Sequence, residues 1–322
     1  MAVSQIGISF LDATYDHSQM TPPVQAEPAA MAIIWHKRAI LMMLVSAVIN
    51  STGGLLVRSV ESATDWQLIF WRGLALAGAI STIVFIQHGK ETVQTVRKVG
   101  RLGVIAGVFY SGTVICYILA ITHTTVANAV FTMSAIPFFT AIFARIFLGE
   151  RLSATTALAI IVALGGIILM VGDGLATGSV FGNVMAIAAS VCFACFVVVL
   201  RKKRRVNMLP ATAIGSLIAM LVATYMTNGD IQIPLRDLVI CFVWGAVISS
   251  VGHFLVITSS RHLGGAELTL FILIEFILGP IWVWLIINEV PSKMTLIGGA
   301  IVMLAVVSHV VVSLKQTKIA TG

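Results

Sequence analysis

Two charged side chains stand inside long apolar stretches of this sequence. Glu275 lies in the middle of the run 266–288, and Arg72 lies within the run 66–86. A charge inside a membrane-spanning helix is costly, so such residues are functional candidates by default. Glu275 could bind a substrate ammonium, carry a coupled proton or pair with an arginine. Arg72 could bind a substrate carboxylate through its planar guanidinium, extend toward the membrane surface, or pair with Asp65 or Glu61.

If Glu275 and Arg72 face one cavity, they suit a zwitterion such as an amino acid. His253 also lies within an apolar run, where it could act as a ligand or proton relay, or hydrogen-bond to a neighbouring helix. Further candidates for lining a cavity are uncharged or aromatic residues that could equally join helices or face lipid: Asn50, Tyr117, Asn128, Trp71 and Trp282.

The composition is that of an integral membrane protein. The chain has 322 residues, of which 58% are hydrophobic and only 10% are charged, and its mean hydropathy is +1.02. Soluble domains carry about a quarter charged residues. The net charge of +7 does not indicate nucleic-acid binding, because the basic residues lie between apolar segments, where membrane topology explains them. The spacing of Cys192 and Cys195 lacks the polar surroundings of a metal or redox site, so we expect no metal and no cofactor.

Ten apolar segments have the length of membrane-spanning helices, for which about 20 residues are needed. Backbone amides in lipid require internal partners, and no segment alternates like a barrel strand, so we expect an all-α fold. The predicted spans are 39–58, 66–86, 102–121, 126–148 and 154–172 in the first half, and 180–200, 211–228, 236–259, 266–288 and 294–314 in the second.

The basic residues predict the orientation of these spans. With the N-terminus in the cytoplasm, 16 of the 20 Lys and Arg fall in cytoplasmic segments. Only Arg58, Arg236 and Lys293 fall outside, and Arg72 stays within a span. Cytoplasmic loops carry the excess of Lys and Arg in membrane proteins. The sequence therefore predicts a multi-pass protein of the inner or plasma membrane with both termini cytoplasmic.

The second half of the chain repeats the first. Glu150 and Glu289 stand 139 positions apart (289 − 150), each at the end of an apolar run, and His123 has His262 at the same offset. Because five spans is an odd number, the second repeat enters the membrane from the opposite side and the repeats are inverted. Secondary transporters bind their substrates between such repeats. The predicted division is a disordered cytoplasmic tail (1–35), two five-helix repeats (36–173 and 174–314) and a C-terminal tail (315–322).

The fourth and fifth spans resemble the EamA domain of the drug/metabolite transporter superfamily. The resemblance rests on Ala127-Asn128-Ala129, Pro137, the stretch Phe147-Leu148-Gly149-Glu150-Arg151-Leu152 and Gly165-Gly166, and two tandem copies extend over 37–314. The second copy departs from the pattern at Ile287-Asn288-Glu289-Val290-Pro291 and in the position of Pro280. The resemblance implies a ten-helix secondary transporter, usually an exporter of amino acids or related metabolites. Some relatives import nucleotides, cofactors or S-adenosylmethionine.

Other classes of function lack their motifs. No pair of intramembrane aspartates, HExxH motif, Walker A motif or dinucleotide fingerprint occurs, so an intramembrane enzyme is the weaker alternative. We expect alternating access around a central cavity, a small-molecule substrate and the lipid bilayer as surroundings, and a homodimer is left open. The candidates for hinges and gates are Pro137, Pro280, Glu150 and Glu289.

Overall fold

The chain is helical throughout the part that the structure describes. A computed structural model gives the backbone of residues 29–149, 154–177, 179–202, 208–259, 263 and 265–321. Side chains are described for these residues except 29–33, 173–177, 257, 265–270 and 313–321. No strand occurs within these ranges. The predicted tail 1–35 lies mostly outside them and stays a prediction.

The helices follow the two halves of the sequence. The first half contains α1 (Ala29–Ser51), α2 (Gly53–Arg58), α3 (Asp65–His88), α4 (Thr92–His123), α5 (Val126–Met133), α6 (Ile136–Leu148) and α7 (Ala154–Thr177). The second half contains α8 (Val180–Lys202), α9 (Leu209–Met226), α10 (Leu235–Phe242), a π-helical segment (Val243–Ser249), α11 (Ser250–Ser259), α12 (Gly265–Ile287) and α13 (Lys293–Thr321).

These helices are long and apolar enough for a multi-span membrane protein. Within the described ranges, 8 helical stretches have the length and hydropathy to cross a bilayer, and one of them, Asp65–His123, contains both α3 and α4. A shorter apolar stretch, Phe271–Ile287, belongs to α12. The all-α membrane fold is thus confirmed, and ten as the number of spans stays a prediction.

Three of the predicted spans are not continuous α-helices. A break at Thr52 separates α1 from α2, and a turn at Ser134 and Ala135 separates α5 from α6. In the eighth predicted span, the π-helical segment stands between α10 and α11. Such interruptions are frequent at functional sites of membrane proteins, because they change the direction of the side chains that follow.

The two candidate hinge prolines have different surroundings. Pro137 stands in the first turn of α6, where backbone N–H groups have no acceptor within the helix, so the N–H that proline lacks is not needed there. The preceding helix ends before it. Pro280 lies inside α12, which continues through it. The break near Pro137 is therefore complete, whereas Pro280 removes one hydrogen bond from an unbroken helix.

The two halves of the chain use equivalent helix neighbours. Helix α7 packs against α13 and α3 against α9, and each pair joins corresponding helices of the two halves. The contact of α4 with α8 has its counterpart in that of α1 with α11. Likewise, α5 and α6 pack on α8 as α12 packs on α1 and α2. Replacing the helices of one repeat by the corresponding helices of the other therefore gives the same set of contacts, as a two-fold relation between the repeats requires. The contacts agree with the predicted two-repeat architecture.

Glycines bring several helices into backbone contact. A Cβ on Gly166 of α7 would lie 2.6 Å from the carbonyl oxygen of Gly298 of α13, and a Cβ on Gly298 would lie equally close to that of Gly166. Gly107 and Gly215 form a similar crossing of α4 and α9. Small residues matter here because packing and dispersion, rather than the hydrophobic effect, hold helices together in lipid.

The connecting segments at one end of the bundle are joined by polar contacts. The Asp237 carboxylate accepts the backbone N–H groups of Ser62 and Ala63, each at 2.9 Å. The Gln67 amide donates to the carbonyl of Asp230 at 3.2 Å. The segments after α2 and after α9, which were predicted to share one side of the membrane, therefore meet at the same end.

The glycine crossing gives a prediction about stability. Gly166→Ala should destabilise the protein by about 1–3 kcal/mol, because the added methyl group would push α7 away from α13. Gly165→Ala is the matched control, since a Cβ there meets no atom within 4 Å. The measurement is the thermal unfolding midpoint of both variants in detergent. Equal midpoints for the two variants would contradict the close crossing.

Candidate functional site

The Arg72 side chain is buried against the π-helical segment. It is 7% exposed. Its guanidinium carbon lies 4.1 Å from the centre of the Trp244 ring, and Nη2 donates a 3.3 Å hydrogen bond to Ser249 Oγ. Nε and Nη1 are buried and have no aligned acceptor among the described residues. Arg72 therefore carries a positive charge inside the bundle with most of its donors unused.

Neither acidic residue proposed from the sequence as a partner pairs with Arg72. Glu61 forms an exposed ion pair with Arg236. Asp65 lies 3.6 Å from His123 Nδ1. Arg72 instead points into the bundle, so the alternative of pairing at the membrane surface is wrong.

Close packing places the π-helical segment beside Arg72. A Cβ on Gly245 would lie 2.6 Å from the backbone carbonyl oxygen of Arg72, so a larger residue would separate the two helices. Gly53 makes room for Trp244 in the same way, since its Cβ would lie 3.2 Å from the indole nitrogen. A π-helical turn holds one residue more than an α-helical turn. In this register both Trp244 and Ser249 reach the guanidinium.

Two tyrosines of α4 lie near Arg72. The Tyr110 hydroxyl faces the guanidinium, and the Tyr117 ring centre lies 6.4 Å from that of Trp244. Tyr117 is the residue of this group that lies within electrostatic range of Glu275. Glu275 is half-buried on α12, and no hydrogen bond or ion pair joins it to any described residue. We call Arg72, Tyr110, Tyr117, Trp244, Ser249 and Glu275 the central cluster.

His253 borders the central cluster one turn beyond Ser249. Its Nδ1 lies 2.5 Å from the Ser249 carbonyl oxygen, and its ring centre lies 6.3 Å from that of Tyr110. Because a carbonyl only accepts hydrogen bonds, Nδ1 carries a proton in this arrangement. One ring nitrogen of His253 is thus hydrogen-bonded to the backbone of the preceding turn.

Two further candidates form contacts of α1. Asn50 Nδ2 donates to Ser46 Oγ at 3.2 Å on the same helix. Trp282 Nε1 donates to Ser51 Oγ at 2.9 Å and so joins α12 to α1. Both side chains lie outside the central cluster and contribute hydrogen bonds within or between helices.

The remaining two candidates also form structural contacts. Trp71 Nε1 donates to the Ile231 carbonyl at 2.7 Å, at the end of the bundle. Asn128 Nδ2 donates to Thr124 Oγ1 at 3.1 Å and to the carbonyl oxygen of the Asn183 side chain. Asn128 Oδ1 is buried without a partner among the described residues. The structure does not bring either residue to Arg72.

An open groove of about 400 Å³ lies between α3 and α11. The residues that line it are Ile83, Ile86, Gln87, Ser250, Val251 and Phe254, and none of them belongs to the central cluster.

The sequence profile of the EamA-like transporter family matches the chain twice, over residues 37–172 and 180–310. The chain belongs to the EamA-like transporter family. The two matches correspond to the two repeats, so the resemblance found in the sequence is confirmed.

Relatives of this EamA-family chain include a named exporter. The pseudopaline exporter CntI of Pseudomonas aeruginosa strain UCBPP-PA14 is 24% identical over 277 residues, which cover 84% of this chain and 95% of the exporter. CntI of strain PAO1 matches with the same figures. A solved crystal structure shares 18% identity and superposes with a TM-score of 0.59, covering 84% of this chain and 97% of that chain. The last similarity supports the fold alone.

In this EamA-family chain, Glu289 joins three segments at one end of the bundle. Its Oε1 accepts the backbone N–H of Val126, the first residue of α5, at 2.7 Å. Its Oε2 lies 2.8 Å from Arg58 Nε, although that N–H is not aligned for a hydrogen bond. Arg58 Nη2 in turn donates to the Thr124 carbonyl at 2.7 Å. Glu289 stays a predicted gate residue, and Glu150 lies outside the described residues.

Sequence reasoning missed three members of the central cluster. Tyr110 had a signal, because it stands seven positions before Tyr117 and therefore on the same face of α4. Trp244 and Ser249 had none. Their direction depends on a π-helical register that the sequence does not reveal.

The Glu289 contacts predict a difference between two ion pairs. Glu289→Gln should cost about 1–3 kcal/mol of stability, because it removes a partly buried ion pair and weakens the contact with the positive end of α5. The control is Glu61→Gln, which breaks the ion pair of Glu61 with Arg236. The side chains of this pair are 65% and 58% exposed, whereas those of Arg58 and Glu289 are 26% and 19% exposed. Exposed pairs contribute little to stability, because water and salt screen them.

The unfolding midpoint of each variant in detergent, relative to the wild-type protein, measures this difference. A Glu61→Gln variant as destabilised as Glu289→Gln would show that Glu289 has no special part in holding this end together.

Proposed function

We propose that this EamA-family chain is a secondary active transporter that exports an amino acid or a related small metabolite by alternating access. The observation that carries the proposal is the presence of two ionisable residues of opposite type, Arg72 on α3 and Glu275 on α12, inside the apolar bundle. They form no ion pair with each other, and no described residue pairs with either. Charges inside a membrane protein are kept where substrates or ions interact with them.

The charges also fit the class of substrate. An amino acid carries a carboxylate and an ammonium group, which suit a guanidinium and a carboxylate respectively. The relative CntI is a pseudopaline exporter, which supports export as the direction and a metabolite as the class of substrate. At 24% identity the relative does not supply the substrate, which depends on the side chains around the site.

The mechanism that we propose uses the repeats as two moving bodies. The segments 36–173 and 174–314 rock against each other around the central cluster, with Pro137 and Pro280 as hinge positions. Glu289 closes one end, as its contacts with Arg58 and Val126 suggest. The protein lies in the inner or plasma membrane with both termini cytoplasmic, and an ion gradient drives export.

The test is a comparison of metabolites in medium and cytosol for cells in which the gene is deleted, restored or overexpressed. We expect a compound that accumulates outside on overexpression and inside on deletion, and that compound is the substrate. Accumulation inside on overexpression would indicate an importer, for example of a nucleotide-like metabolite or S-adenosylmethionine. No difference in any growth condition would contradict metabolite export.

A variant of Glu275 tests its part in coupling. Glu275→Gln should reduce gradient-driven efflux of that compound from proteoliposomes by about tenfold or more, because the amide can neither carry a proton nor neutralise an ammonium group. The control Glu61→Gln lies at the bundle end and should keep wild-type efflux. If Glu275→Gln responds to a pH gradient as the wild-type protein does, Glu275 does not carry the coupled proton.

A further inference from the structure

Arg72 leaves most of its hydrogen-bonding capacity unused. A guanidinium has five N–H donors, one on Nε and two on each Nη. Nε and Nη1 are buried without aligned acceptors among the described residues, and Nη2 uses one bond to Ser249. A buried charge without a counter-charge costs several kcal/mol. Such an arrangement does not stabilise a fold, so it calls for a ligand that completes it.

A structural arginine in the same bundle looks different. Arg58 lies beside the Glu289 carboxylate at 2.8 Å and donates to the Thr124 carbonyl at 2.7 Å. Its charge is neutralised by the protein itself. Among the described residues, the groups around Arg72 include those of Trp244, Ser249 and Tyr110, and no carboxylate forms an ion pair with it. Arg58 therefore holds helices together, whereas Arg72 has the donors of an anion-binding residue.

The surroundings of Arg72 restrict the shape of that anion. Trp244 covers one face of the guanidinium at 4.1 Å, so an acceptor has to approach in the guanidinium plane. Two donors in one plane match the two oxygens of a carboxylate. Because Gly53 has no side chain, there is space beside it for the Trp244 indole.

The charge balance of the central cluster restricts the anion further. The cluster contains one guanidinium and no lysine. One guanidinium neutralises one negative charge, whereas a dianionic phosphate would need more. An ionised Glu275 would repel a dianion and attract a cationic group.

We infer that the exported compound carries a carboxylate that binds in the plane of the Arg72 guanidinium, between Trp244 and Ser249, with its cationic group toward Glu275. The inference deepens the proposed function and rests on it, because it names the chemical class of the transported compound. Arg72 is the residue that distinguishes an acid from its neutral amide, and Trp244 sets the plane in which the acid binds.

The first test compares two arginines without any ligand. Arg72→Met should unfold at the wild-type midpoint or above it, because it removes an uncompensated charge. Arg58→Met should unfold below it, because it leaves Glu289 unpaired. If Arg72→Met is destabilised as much as Arg58→Met, Arg72 has a structural role and the inference is overturned.

The second test measures carboxylate recognition by ligand-induced stabilisation. The probes are acetate against acetamide, and glycine, leucine, phenylalanine and histidine against their amides, all at high concentration because fragments bind weakly. We expect a higher unfolding midpoint of the wild-type protein with at least one acid than with its amide. Arg72→Met should abolish the difference, and Arg72→Lys should too, since it keeps the charge but loses the planar fork.

The control for these probes is Arg236→Met, which removes an exposed arginine at the bundle end and should keep the acid-specific shift. An equal shift in the wild-type protein and Arg72→Met, or no acid-specific shift in the wild-type protein, would overturn the carboxylate assignment. The result is independent of the metabolite comparison. Export of a compound without a carboxylate would agree with the proposed function and would contradict the carboxylate assignment.

Discussion

Lipid offers no hydrogen bonds, and this constraint governs where every polar group of the protein lies. The backbone meets it by forming helices, and several buried hydroxyl groups meet it by bonding to a carbonyl one turn earlier. Thr113, Ser190 and Ser216 donate in this way to Phe109, Ala186 and Thr212. Against that background an unsatisfied guanidinium is conspicuous. Burying Arg72 unpaired is costly, and we propose that an anion beside it offsets this cost.

The same constraint makes close packing part of the binding site. Without a hydrophobic force between helices, the bundle is held by surfaces that fit, and glycines allow backbones to touch. Gly245 brings the π-helical segment against the backbone of Arg72, and Gly53 leaves space for Trp244. The position of the guanidinium is therefore fixed by backbone contacts rather than by an ion pair. This leaves its charge available to a substrate.

Charges at the end of the bundle behave in the opposite way. Glu289 pairs with Arg58, Glu61 pairs with Arg236, and Asp237 binds backbone N–H groups. These contacts are closer to water, so separating them costs less than separating a pair within the apolar interior. A transporter that alternates between two openings needs contacts of this kind, which are stable enough to close one end and weak enough to open again. Arg72 in the interior instead has no charged partner among the described residues, which is why we propose that substrate binds there.

The amino-acid sequence is sufficient to identify the membrane class, the two repeats and the two ionisable residues Glu275 and Arg72, because these follow from composition, from spacing and from the rarity of such residues in apolar runs. The residues around Pro137 and Glu150 are sufficient to identify the family. The side chains that surround Arg72 become known from the helix packing. Trp244 and Ser249 reach it through a π-helical turn, whereas Trp71, Trp282 and Asn128 are used in contacts elsewhere. The physical reason is that lipid-facing and core-facing sides of these helices are both apolar, so the sequence pattern does not fix how each helix is rotated. That rotation is set by the packing of one helix on another.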